Sequence, residues 1–351
     1  MKYGRLVFSR EFVSSSTVCN VGDFVQTLAI DLLYNEMEIA KEDTVDIPFQ
    51  SLASYKGEKV LLPLNGYFYY NREYPSFPLS EDITPVFLGL YTTSKEYLRH
   101  SSFWKNAGVI GCRDEATYEA VKKCGYDAYL TGCMTVLFPK REKTPENGKV
   151  FIVDAHPSID AYLPEEIKKN AEYVSHEITV NDAENVETLI KECETATRKV
   201  YERYYNEASL VITSRLHCAS PCMAMGIPVI LVRDRFDERY GWIDRYLHLY
   251  TPDEYDKIDW NPEPVDIEDT KKEIKAMAIS MIKQQPDKIK LEKIHSYYMS
   301  RERKPLSASL MVRGYLWLSR YAPFLADFIR TKILVRFTIA GKTKSKGEDR
   351  K

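Results

Sequence analysis

Residues 108–137 constrain the fold more than any other stretch. Val109-Ile110-Gly111-Cys112 reads as a buried strand, and Asp114 is a good helix N-cap. Residues 115–124 carry helical spacing, Gly125 suits the position just past a helix, and residues 127–130 read as the next strand. Strand, capped helix, glycine stop and strand make a βαβ unit, which requires a parallel sheet with helices on its faces. Upstream, a strand is expected over 3–8, a polar loop over 9–22, a helix over 23–34 and strands over 59–64 and 85–90. The polar, turn-rich run from Pro139 to Lys149 marks a boundary, after which the alternation resumes. Strands are expected over 150–153, 173–178, 210–213 and 227–232. Helices are expected over 164–170 and 185–206, with another after Thr213 ending at Gly226. The fold class is α/β: an N-terminal lobe over 1–140, a linker over 141–149 and a C-terminal lobe over 150–300, with parallel sheets facing a cleft.

Composition narrows the function classes. A chain of 351 residues suits two domains, and 44% hydrophobic with 28% charged residues is ordinary for a globular protein. A formal net charge of -2 argues against nucleic acid as a partner. The first residues carry no signal-like apolar run and no stretch is apolar enough to span a membrane, so a cytoplasmic protein is expected. Seven cysteines, an odd number, fit a reduced intracellular chain. Cys218, Cys222 and His217 lack a second ligand pair, and no metal is expected. The 25 tyrosines suit sugar-contacting surfaces and equally a protein core.

Chemistry concentrates where strands run into helices. Thr213-Ser214-Arg215-Leu216-His217 ends a buried strand and opens a helix, the place where doubly wound sheets bind ligands. Arginine there can grip a carboxylate or phosphate, and histidine can trade protons near neutral pH. The structural alternative is an Arg215 paired to a carboxylate and a His217 bonded in the core. Arg113 occupies the matching place in the first lobe, with bonding to the carboxylates beside it as its alternative. Two lobes aiming arginines at one cleft suit a small, doubly anionic substrate. Before the first helix, Gly22 lets backbone approach a ligand, Asn20 can donate to it, and Asp23 can cap the helix. Asn65 in Asn65-Gly66-Tyr67 is a weaker candidate of the same kind, since Asn-Gly also marks turns. His156 and His176 read as structural or solvated, with His156 the reserve candidate for ligand contact.

Residues 211–232, VITSRLHCASPCMAMGIPVILV, resemble the C-terminal signature of polysaccharide pyruvyl transferases. There a Ser-Arg-Leu-His segment precedes a small-residue helix and a Gly-x-Pro-Val strand. Arg113-Asp114-Glu115-Ala116-Thr117 with Thr131-Gly132-Cys133, and Asn20-x-Gly22-Asp23, resemble the family's upstream segments, so the likeness covers about 1–245. It implies two Rossmann-like lobes in a glycosyltransferase-B-like arrangement. It implies phosphoenolpyruvate as donor and a sugar, lipid-linked sugar or polysaccharide as acceptor, with no organic cofactor. On that resemblance Arg215 and His217 are the expected catalytic pair, with Leu216 and Arg113 as substrate contacts; from the residues themselves Ser214, Asn20, Gly22, Asp23 and Asn65 are expected to touch substrate as well. The chain departs from the family where many members carry a Gly-rich run, since it has Asn65-Gly66-Tyr67 there. Two other readings stand beside this one: glycosyl transfer from a nucleotide sugar, and a catalytically silent scaffold of a glycan-assembly complex.

Residues 301–351 differ in character. Arg313, Arg320, Arg330, Lys332 and Arg336 lie among Leu, Trp, Tyr and Phe, ahead of a Lys-rich tail. An amphipathic helical segment is expected over 306–340, either touching the inner face of a membrane or packing back on the first lobe.

Overall fold

The computed structural model describes residues 1–8, 17–68, 75–92, 94–180 and 185–300. The C-terminal segment expected over 306–340 lies outside them, as does the loop over 9–16.

The first half of the chain runs β1 (Lys2–Val7), β2 (Thr17–Asn20), α1 (Val21–Glu36), β3 (Thr44–Pro48), β4 (Val60–Tyr67) and β5 (Ile83–Tyr91). It continues through α2 (Lys95–Leu98), α3 (Ser101–Asn106), β6 (Ile110–Cys112), α4 (Glu115–Lys123) and β7 (Ala128–Leu130). Six of these strands form a sheet in the order β3-β1-β4-β5-β6-β7, every pairing parallel. β4 and β5 are buried almost throughout, as strands covered on both faces must be. The βαβ unit over 108–137 forms as its residues dictate. Asp114 caps α4 by accepting from the Thr117 amide at 2.9 Å, and Gly125 takes the left-handed φ of 80° that ends it.

The second half runs β8 (Lys149–Val153), α5 (Glu165–Asn170), β9 (Ala171–Val174), β10 (Glu177–Val180), α6 (Val186–Glu207), β11 (Ala208–Thr213) and α7 (Leu216–Ala224). β12 (Val229–Val232), β13 (Leu249–Tyr250), α8 (Glu268–Ile282) and α9 (Lys288–Met299) follow. The second sheet is β13-β12-β11-β8-β9, again all parallel. The fold is α/β with two parallel sheets. Among the described residues no helix is long and apolar enough to cross a membrane.

Two expectations need correction. The single strand expected over 173–178 is two. β9 stays in the second sheet, and β10 leaves it to pair antiparallel with β2, which lies within the stretch 9–22 expected to be a loop. The break falls at Ser175-His176, where the His176 amide donates to the Asp154 carboxylate at 2.9 Å.

Both sheets sit inside one compact unit, Met1–Glu302. One apolar cluster threads it, joining Val25 and Leu33 of α1, Val211 of β11, Cys222 of α7, Met277 of α8 and Tyr298 of α9. α1 is therefore buried on nearly every side, which explains why it is apolar almost all round rather than along a stripe. α9 packs on β7, and His295 accepts the Leu130 amide at 3.0 Å.

Candidate functional site

Parallel strands of both sheets end at one cavity of about 470 Å³. β4 ends in Tyr67, β5 in Tyr91, and β6 leads into Arg113. From the other sheet, β8 leads into Asp154, β11 into Ser214 and Arg215, and β12 into Arg233. Carboxyl ends of parallel strands are where this architecture leaves a crevice. Four arginines, Arg113, Arg215, Arg233 and Arg239, face two carboxylates, Asp23 and Asp154, so the lining is cationic. A larger hollow of about 630 Å³ lies elsewhere, but Arg5 and Arg198 there are both held by carboxylates of Asp31 and Glu194.

The start of α1 forms one wall. Asn20 is its cap: Oδ1 accepts the Gly22 amide at 3.0 Å, while Nδ2 donates to Asp23 at 3.0 Å. The capping expected of Asp23 thus falls to Asn20. A side chain on Gly22 would place Cβ 3.2 Å from Asn20 Oδ1 and 3.3 Å from His217 Cβ. The missing Cβ is what lets His217 lie against the helix start.

His217 sits in the first turn of α7, and its carbonyl accepts from the Tyr201 hydroxyl. Its Nε2 is 3.5 Å from Arg113 and 3.8 Å from the Cys133 sulfur. A guanidinium offers only N–H groups, so the nitrogen facing it presents its lone pair. Burial, then the charges of Arg113 and Arg239, hold the imidazole well below its usual titration range, partly offset by the Gly22 backbone. His217 is thus held as a neutral base by its protein surroundings.

Arg113 is buried, with 2% of its surface exposed, and donates to Gln26 at 2.7 Å. Its Nε has no hydrogen-bond partner. The carboxylate beside it is engaged elsewhere: Asp114 caps α4 and also accepts from the Thr117 hydroxyl at 3.0 Å. Burial pushes Asp114 up to about 6, against the pull of Thr117 and Arg113. A buried guanidinium with no carboxylate within ion-pair distance among the described residues is costly to keep without an anion.

Arg215 stands differently. Its Nε meets Asp154 at 2.9 Å and another nitrogen meets Glu177 at 3.0 Å, so the carboxylate-paired alternative describes its side chain. It still lines the cavity, as do Ser214 and Leu216. The Ser214 hydroxyl donates to the Asp154 carbonyl, and its own carbonyl accepts from the Tyr240 hydroxyl at 2.7 Å. Leu216 belongs to the apolar cluster.

Asn65 does not join them. It is buried inside β4, where its oxygen accepts the Met134 amide at 3.2 Å, and it is absent from the cavity lining. His156 is also apart and exposed, 2.7 Å from the Ser158 hydroxyl. His176 does line the cavity, buried and 3.0 Å from the Tyr204 hydroxyl. Among the described residues no group of three or more His, Cys, Asp or Glu could hold a metal.

Sequence reading missed Gln26, Tyr91, Asp154, Arg233, Arg239 and Tyr240 as cavity residues. The signal for Asp154 and Arg233 was available, since each directly follows a recognisable strand. Arg233 reaches the Tyr240 hydroxyl at 2.5 Å and lies 4.6 Å from that ring's centroid.

Fold and site together define a two-sheet α/β protein with a cationic cleft at its strand ends. Residues 89–234, which hold Arg113, Cys133, Arg215 and His217, match the family model described as polysaccharide pyruvyl transferase, and the chain carries a domain of that family. No curated protein matches. Among solved structures, the chain is similar to an uncharacterized protein from Klebsiella pneumoniae at 16% identity. That match covers 71% of this chain and 93% of that one, with a TM-score of 0.39. It is similar to S. aureus MnaA, solved with UDP, at 10% identity over 88% and 100% of the two chains, with a TM-score of 0.37. A trehalose 6-phosphate synthase from Burkholderia multivorans follows at 12% identity over 93% and 76%, with a TM-score of 0.27.

Proposed function

We propose that this protein transfers the pyruvyl group of phosphoenolpyruvate onto a pair of sugar hydroxyls, forming a pyruvate ketal during cell-surface polysaccharide synthesis. The observation that carries the reading is the pairing of Arg113 with His217 in the cleft. A buried guanidinium without a carboxylate partner touches a histidine kept neutral, inside the matched domain.

Arg113, with Arg239 beyond it, takes the negative charge of the donor. Arg215 is held by Asp154 and Glu177 and shapes the wall around Ser214 and Leu216. Asn20, Gly22 and Asp23 bound the donor from the α1 side. The donor's charge offsets the part of the downward shift that Arg113 and Arg239 impose on His217, which favours proton uptake by the imidazole as the donor binds.

His217 then delivers that proton to the methylene carbon of phosphoenolpyruvate, and the central carbon becomes electrophilic. A sugar hydroxyl adds there, giving up its proton to the imidazole. The carbon–oxygen bond to phosphate breaks, and a second hydroxyl closes the ketal. Of the two hydroxyl protons, one has replaced the proton delivered to carbon and the other leaves with inorganic phosphate. Arginines already in place stabilise the charge that develops on the departing phosphate.

The test is phosphate release from phosphoenolpyruvate against a panel of free and lipid-linked sugars. Release that depends on both substrates is expected, with a matching mass gain on the sugar. Nucleotide-sugar consumption without phosphoenolpyruvate turnover would overturn the reading.

A further inference from the structure

Two tyrosines of the first sheet line the cavity. Tyr67 and Tyr91 close β4 and β5, are directly paired in register, and so carry their side chains on the same face of the sheet. Their ring centroids are 4.7 Å apart with a tilt of 38°. Tyr91 is buried at 7% exposure and backs the pair, whereas Tyr67 is 36% exposed. Among the described residues, the other strongly exposed large apolar side chains, such as Tyr162, Tyr173 and Ile289, lie away from this cavity.

We propose that Tyr67, backed by Tyr91, is the platform on which the pyranose ring of the acceptor lies. This rests on the reading of the cleft as a pyruvyl transfer site. Phosphoenolpyruvate is small and strongly anionic, and the face of an aromatic ring, the negative side of its quadrupole, does not attract it. A pyranose is amphipathic: one face is a patch of C–H groups and its edge is a ring of hydroxyls. A partly exposed aromatic ring lining a polar cavity fits that pattern. Asn20 and Asp23, which bound the donor from the α1 side, line the same cavity and bring polar groups to it. The platform also solves a positioning problem. Two hydroxyls of one ring must reach the same carbon in turn, which requires a ring that pivots in its plane without tumbling. A flat, non-directional contact permits that motion, and a cage of hydrogen bonds would not. Buried Tyr91 keeps Tyr67 from turning away.

The decisive experiment uses methyl β-D-galactopyranoside, whose axial hydroxyl leaves one face largely C–H, on the full chain and on Tyr67→Phe and Tyr67→Ala. Saturation-transfer NMR reads sugar binding without turnover. Transfer to the ring C–H protons is expected with the wild type and Tyr67→Phe, and its loss with Tyr67→Ala. In the phosphate-release assay, Tyr67→Ala should raise the acceptor KM about tenfold, the scale of one aromatic contact, with the phosphoenolpyruvate KM unchanged. Glycoside transfer lost in Tyr67→Ala from a protein that does not turn over phosphoenolpyruvate would sustain the platform and remove pyruvyl transfer. Turnover with an unchanged acceptor KM in Tyr67→Ala would remove the platform alone. Absence of transfer in the wild type, or Tyr67-dependent transfer to uridine in place of the glycoside, would also overturn it.

Discussion

Acidification should expose His217 as a proton the folded state refuses. Its imidazole is pushed below its usual range by burial first and by Arg113 and Arg239 after that. The sign follows. Unfolded, the group titrates near 6.5, so below that pH the unfolded chain binds a proton that the folded chain does not. Stability from this group is complete above about pH 6.5 and is lost as pH falls toward the folded value. The loss approaches about 1.4 kcal/mol per pH unit, since one full proton separates the two states. His295, also lowered by burial, acts in the same direction, while Asp114, raised to about 6, acts in the opposite one. Comparison with His217→Gln cancels both. Unfolding each protein in guanidinium at about pH 5.5 in weak buffer should show the wild type taking up about 0.9 proton more than the variant. Equal uptake would mean that His217 titrates alike in both states, and the neutral base at the centre of this account would be gone.

Three substitutions probe the geometry around it. Arg113→Met keeps the bulk of the side chain and removes its charge; the phosphoenolpyruvate KM should rise about 10- to 100-fold, and an unchanged KM would take Arg113 out of the site. Gly22→Ala puts a methyl 3.3 Å from His217 Cβ, so kcat should fall about 10- to 100-fold while the circular dichroism spectrum is retained, and full activity would show that this contact is slack. Arg245→Met breaks the buried ion pair with Glu115 at the start of α4, and urea unfolding should register a loss of about 3–5 kcal/mol, against which a loss below about 1 kcal/mol would count.

Much of the scaffold could be read from the chain because its punctuation is local. Asp114 and Gly125 fix both ends of α4 from residues inside or beside the helix, and the apolar runs that become β8, β11 and β12 carry their burial in their own composition. β2 could not be read, because four residues after a polar loop become a strand only through β10. β10 in turn was merged with β9, since a change of sheet at Ser175-His176 leaves no hydrophobic signature. The site divides in the same way. That Arg113 and His217 face a common cavity followed from where strands end, but the bond between them depends on Gly22 and on α1 lying between the sheets. That Arg215 spends both edges of its guanidinium on Asp154 and Glu177 depends on the path of β10. Asn-Gly usually marks a turn, whereas β4 continues through Asn65 to Tyr67, with a shift of its register against β5 between Leu64 and Asn65.

The central claim is that this cleft moves a pyruvyl group. The direct measurement supplies phosphoenolpyruvate labelled with carbon-13 at its central carbon, together with the sugar that supports phosphate release, and follows the label by NMR. The account predicts that the label moves to a saturated carbon bearing two sugar oxygens, a methyl and a carboxylate, and that His217→Gln abolishes the transfer. Label recovered as free pyruvate, or retained in phosphoenolpyruvate while the sugar is consumed, would contradict it.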